Sequence, residues 1–107
     1  MVNRERGANG VGSLALSEKL SRRAHNHSEE MADSGTLFHS CLSCSGRRST
    51  SMMAENIGVG ASVQAVHDAL MDSSGYRENI LGSEYQRVGV GIVRRGDRVW
   101  VTELFAG

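Results

Sequence analysis

Between Val88 and Phe105 the chain takes on the hydrophobic period of strands. Val88, Val90 and Ile92 alternate with Gly89, Gly91 and Val93, and beyond Arg95-Gly96-Asp97 a second strand-like run covers residues 99–105. Two alternating runs around a Gly-Asp turn predict an antiparallel hairpin. The glycines set between the valines predict that one face of that hairpin is closely covered by another part of the chain.

The upstream segments repeat with the period of helices. Leu16, Leu20, Ala24, His27 and Met31 recur at spacings of four, four, three and four, which places them on one helical face. A helix is predicted over residues 17–34, with Ser17 as N-cap, Glu18 in the first turn and Gly35 as the stop. Its opposite face carries Arg22, Arg23, Asn26, Glu29, Glu30 and Asp33, a composition suited to solvent. A second helix is predicted over residues 62–73, with Ser62 as N-cap and Val63, Val66 and Leu70 on one face. Residues 76–81 add a further turn. Residues 1–12, punctuated by Gly7, Gly10 and Gly12, read as a helical stub and a loop, and residues 54–58 as a short extended segment. Helices first and a hairpin last give an α+β chain, and its 107 residues suit a single domain over residues 1–107.

Charge and hydropathy exclude some functions. Lys+Arg and Asp+Glu both number 12, so there is no basic excess for a nucleic-acid footprint. No apolar run approaches the ~20 residues of a transmembrane segment. No apolar core of a signal peptide follows Met1, which fits either a cytoplasmic protein or a domain without its export segment.

His39 and Glu55 flank a serine-rich loop. An imidazole and a carboxylate that converge can ligate zinc or carry out acid–base chemistry; unconverged, they are two ordinary polar residues. His27, on the apolar helix face, reads as a core histidine with its ring hydrogen-bonded. His25 and His67 are expected to be exposed. His25 and His27 are two apart and point to different sides, so they form no metal pair. Cys41-x-x-Cys44 reads most simply as a local disulfide or as free thiols; a zinc site with His39 and a redox pair are the alternatives. The glycine pairs Gly58/Gly60 and Gly89/Gly91 lack a dinucleotide fingerprint, and no serine lies in a G-x-S-x-G elbow.

Eight motifs in order cover nearly the whole chain. They are Val2-Asn3-x-Glu5-Arg6; Leu14-x-Leu16-x-x-x-Leu20; Ala24-x-x-His27-Ser28-x-x-Met31-Ala32; and Phe38-His39-Ser40. Next come Ala54-Glu55-Asn56-Ile57-Gly58-x-Gly60 and Met71-x-Ser73-x-Gly75-Tyr76-Arg77-x-Asn79-Ile80-Leu81. Val88-Gly89-Val90-Gly91 and Val99-Trp100-Val101-Thr102-x-x-Phe105 close the series. In this order the chain resembles the CAP superfamily, also called SCP-like, of cysteine-rich secretory, antigen 5 and pathogenesis-related 1 proteins, and within it the short bacterial extracellular branch.

The resemblance implies a three-layer α-β-α sandwich around a small antiparallel sheet, and an extracellular location. It also implies a cleft that in many members holds two histidines and two glutamates, sometimes with a divalent metal. Matched residue by residue, His39 falls on the first histidine and Glu55 on the first glutamate. Ser73 stands at the second glutamate position and Tyr76 replaces the second histidine. Only His39 and Glu55 then remain as metal ligands, and zinc takes three or four. The expectation is a binding module whose cleft, built from His39, Glu55, Tyr76 and Ser73, takes a lipid, glycan or peptide without a resident metal. The alternative is a metal-assisted hydrolase of peptide or cell-wall substrates; a redox protein built on the CxxC is a third.

Overall fold

The structure is a computed structural model and describes residues 1–40 and 53–107. Its elements run α1 (Val2–Ala8), β1 (Ala15–Leu16), α2 (Glu18–Ser34), β2 (Met53–Gly60), α3 (Val63–Asp72), α4 (Ser74–Leu81), β3 (Arg87–Arg95) and β4 (Arg98–Ala106). Cys41 and Cys44 lie outside the described residues.

The sheet order is β1-β3-β4-β2. β3 and β4 form the expected hairpin, in register from Arg87↔Ala106 to Arg95↔Arg98, with Gly96 at φ 64° in its turn. β2 adds antiparallel to β4, and the two residues of β1 pair parallel to β3. β4 is therefore interior, and β2 is an edge.

Side-chain alternation along this register sorts the sheet into two faces. Gly89, Gly91, Trp100, Thr102, Leu104, Glu55 and Ile57 share the face under α2. Val88, Val90, Val99, Val101, Glu103, Phe105 and Asn56 share the face under α1, α3 and α4. The result is an α-β-α sandwich.

Each layer has a local cause. Ser17 caps α2 by accepting a hydrogen bond from the Leu20 N–H at 3.2 Å, and Gly35 ends it at φ 71°. The helix lies almost on the sheet backbone: a Cβ at Gly89 would overlap the backbone of Leu20 and Ser21, and one at Gly91 that of Ala24 and His25. Close approach is the reason for the alternating glycines. Ser28 completes the contact, donating to the Gly91 carbonyl at 2.9 Å and lying 2.8 Å from the Thr102 hydroxyl. On the other face Ser62 caps α3 through the Ala65 N–H, and Val66 and Leu70 reach the core with Ile80, Val99 and Phe105.

Three expectations need correction. Leu16 is not on the α2 face: it precedes the cap, belongs to β1 and is 74% exposed. His67 is not exposed: it follows Val63 by four residues, so it turns inward on the same face of α3 and is buried. Residues 76–81 contribute more than one turn, since α4 already begins at Ser74. Among the described residues no helix is long and apolar enough to cross a membrane.

Candidate functional site

The site is assembled around β2, an edge strand of the sheet. After Gly35 the chain turns back as residues 36–40, and α2 itself fixes this return. The buried His27 ring lies edge-on to Phe38, with centroids 4.9 Å apart, and its Nε2 is 2.6 Å from the Phe38 carbonyl oxygen. That oxygen only accepts, so the Nε2–H donates. The core histidine read from sequence thus anchors the segment that carries the next histidine.

Glu55 projects from β2 on the α2 face and is buried, while His39 is exposed. The carboxylate accepts from His39 Nδ1 at 2.9 Å and from the Ser40 N–H at 2.8 Å, both on Oε1. Its Oε2 accepts a short hydrogen bond from the Ser40 hydroxyl. Both oxygens are committed to the loop. With the proton on Nδ1, His39 presents the lone pair of Nε2 outward.

Tyr76 comes from α4, on the other side of the sheet. Its hydroxyl lies 3.5 Å from His39 Nε2, at the outer edge of hydrogen bonding, with the rings 6.2 Å apart. Asn56 holds it there: one strand position beyond Glu55 it faces the opposite side, and its Nδ2 donates to the Tyr76 carbonyl at 3.1 Å. Adjacent residues of one edge strand therefore secure both His39 and Tyr76. Leu37 and Phe38, both substantially exposed, lie in the same loop as His39.

Three of the four sequence-derived site residues, His39, Glu55 and Tyr76, are joined by hydrogen bonds or ring contact. Ser73 sits at the α3–α4 junction, half-buried, and none of its described hydrogen bonds reaches His39 or Glu55. As a zinc site this donor set fits poorly. One imidazole nitrogen is free to face outward, the carboxylate is turned inward on Ser40, and a phenol is a weak ligand near neutral pH.

Sequence reasoning missed a second polar group, under α3. Glu103 is buried on interior β4 and accepts from Asn56 Nδ2 at 3.2 Å, while Asn79 donates to Asn56 Oδ1 at 2.9 Å. Burial raises the Glu103 carboxyl above the usual carboxylate range; the Asn56 hydrogen bond and the charges of His67 and the Met1 ammonium act the other way. The buried His67 places Nε2 2.9 Å from Glu5 Oε2. The guanidinium of buried Arg6 donates to the carbonyls of Gly12, Ile80 and Gly82, tying α1 to the end of α4. The signals for this group were the motifs that carry Glu5, Arg6, Asn56 and Asn79 and the four-residue spacing from Val63 to His67.

The chain is similar to known proteins over nearly its whole length. The cysteine-rich secretory protein (CAP) family profile matches residues 1–105. The uncharacterized protein YkwD of Bacillus subtilis is 32% identical over 116 aligned residues, covering the whole of this chain and 44% of its own length. Among solved structures, an outer surface protein from Borrelia burgdorferi superposes with a TM-score of 0.86 at 14% identity, over 98% of this chain and 85% of that one. An extracellular protein containing an SCP domain from Bacillus anthracis gives 0.82 at 22% identity, over 98% of this chain and 37% of that one. The chain thus spans less than half the length of the curated relative it matches.

Proposed function

The chain belongs to the cysteine-rich secretory protein (CAP) family, and on that footing we propose that it is a small secreted binding module whose reduced cleft takes a lipid, glycan or peptide. The observation that carries this reading is the state of Glu55. Its two oxygens are spent on His39 and Ser40, so it orients the imidazole instead of meeting a ligand. What faces outward is an imidazole edge, a phenol and the apolar residues Leu37 and Phe38. Such a surface offers hydrogen bonds and ring contacts, as ligand recognition requires. Among the described residues no serine hydroxyl is hydrogen-bonded to Nε2 of the oriented His39; only the Tyr76 phenol is near it, at 3.5 Å. Secretion is supported by two structurally similar proteins, an outer surface protein and an extracellular protein.

The test is an NMR titration of the full chain with a short glycan, a peptide and a medium-chain fatty acid, read at the His39 and Tyr76 side chains, with the added compounds recovered and analysed. The expected result is saturable shifts with one class and recovery of that compound intact. Cleavage of the peptide or glycan that depends on added zinc would replace this reading with the metal-assisted hydrolase.

A further inference from the structure

A cavity of about 240 Å³ lies away from the cleft, between α1, α3 and the sheet. Val63, Val66, Leu70, Val90 and Val101 supply its apolar lining; His67 and Glu103 are its buried polar residues. Two observations give it a chemical preference. Nδ1 of His67 is buried and has no hydrogen-bond partner among the described residues. An unpaired buried polar atom of this kind costs free energy that a ligand can recover. Moreover, His67 Nε2 donates to the Glu5 carboxylate, so in the neutral ring Nδ1 is an acceptor. An ionised Glu103 is likewise only an acceptor. The buried polar atoms at this cavity therefore call for a donor. Two carboxylates, Glu5 and Glu103, stand against the Met1 ammonium and the His67 imidazole; with the ring neutral one negative charge is left over, which favours a cation.

We propose that this cavity is a second binding site, for a small organic ammonium whose head donates to Glu103 and His67 Nδ1 and whose apolar tail lies along Val63, Val66 and Leu70. The volume is below the roughly 300–1,000 Å³ of sites for drug-sized ligands, which limits the occupant to a short chain or a single ring. A bound cation also favours the ionised form of Glu103, so binding and ionisation support each other. Neither His39 nor Tyr76 lines the cavity; Asn56 links Glu103 to the Tyr76 carbonyl, so Val63→Phe, which leaves that link in place, is the variant that tests the cavity alone.

The probes are n-hexylamine, n-hexanol and hexanoate, three molecules of similar length with cationic, neutral and anionic heads. Affinity is read from amide and imidazole NMR shifts of the full chain. Hexylamine is expected to bind at least about ten-fold more tightly than hexanol, the scale of one charge-assisted hydrogen bond, with hexanoate weakest and the His67 imidazole resonances moving. Glu103→Gln is expected to reduce hexylamine to the affinity of hexanol. Val63→Phe, which fills the apolar end, is expected to weaken both. Hexanol or hexanoate binding as tightly as hexylamine would overturn the proposal, as would hexylamine shifts that leave His67 unmoved or survive both substitutions.

Discussion

Glu55 Oε1 lies 2.9 Å from His39 Nδ1, with the carboxylate side chain 2% exposed and the imidazole 52% exposed. The pair spans the boundary between core and solvent, and the buried member fixes the orientation of the exposed one. Ser40 takes up the rest of the carboxylate's accepting capacity.

Glu55→Ala is expected to lower stability by about 1–3 kcal/mol, because the Ser40 N–H loses its acceptor and His39 its orienting partner. Urea unfolding measures the loss, and the His39 ring resonances should lose their single orientation. An unchanged midpoint with an unchanged ring would contradict the inward role of Glu55.

Burial of Glu103 makes stability depend on pH. Its carboxyl is raised by burial, so the folded chain holds this proton at pH values where the unfolded chain has released it. Its contribution to stability therefore falls as pH rises from about 4, the ordinary carboxylate value, through the raised folded value. Glu103→Gln keeps an oxygen for Asn56 and removes the charge. The variant is expected to melt above the native chain near pH 8, with the gap closing towards pH 4. A gap that widens on acidification would refute the assignment.

The covered face of the hairpin gives a contrast between two glycines. Gly91→Ala places a methyl group into the α2 backbone and is expected to cost about 1–3 kcal/mol or more, since backbone cannot move aside as a side chain can. Gly75→Ala, in α4 with nothing within 4 Å of the new methyl, is expected to be neutral or to stabilise by up to about 1 kcal/mol. Thermal melts of the two variants are the measurement.

Leu20→Ala tests the α2 face itself. Leu20 packs with Ala24, Leu104 and Ala106, and its truncation is expected to cost about 2–5 kcal/mol in chemical denaturation. An unaltered midpoint would place the helix elsewhere.

Local signals explain what was legible in the sequence. The Ser17 and Ser62 caps, the Gly35 stop and the Gly96 turn act within a few residues of themselves, so pattern alone located α2, α3 and the hairpin. The paired glycines declared a close approach without naming Leu20 or Ala24 as the neighbour. His39, Glu55 and Tyr76 were named through the order of motifs; their contacts, 16 and 37 residues apart in sequence, are tertiary. Arg6 and Glu103 escaped for a different reason. Arg6 is satisfied by carbonyls 74 and 76 residues away, which leave no trace in side-chain pattern. Glu103 lies on an interior strand buried on both faces, where alternation no longer separates core from surface.

The claim that this cleft is a binding surface without a resident metal meets its most direct test in zinc calorimetry on two chains, the native one and Ser73→Glu/Tyr76→His. The native chain is expected to give no stoichiometric heat, because one outward imidazole and a phenol do not complete a tetrahedral shell. The doubly substituted chain, with an added carboxylate and imidazole, is expected to gain measurable affinity near pH 7. Tight one-to-one zinc binding by the native chain would contradict the account.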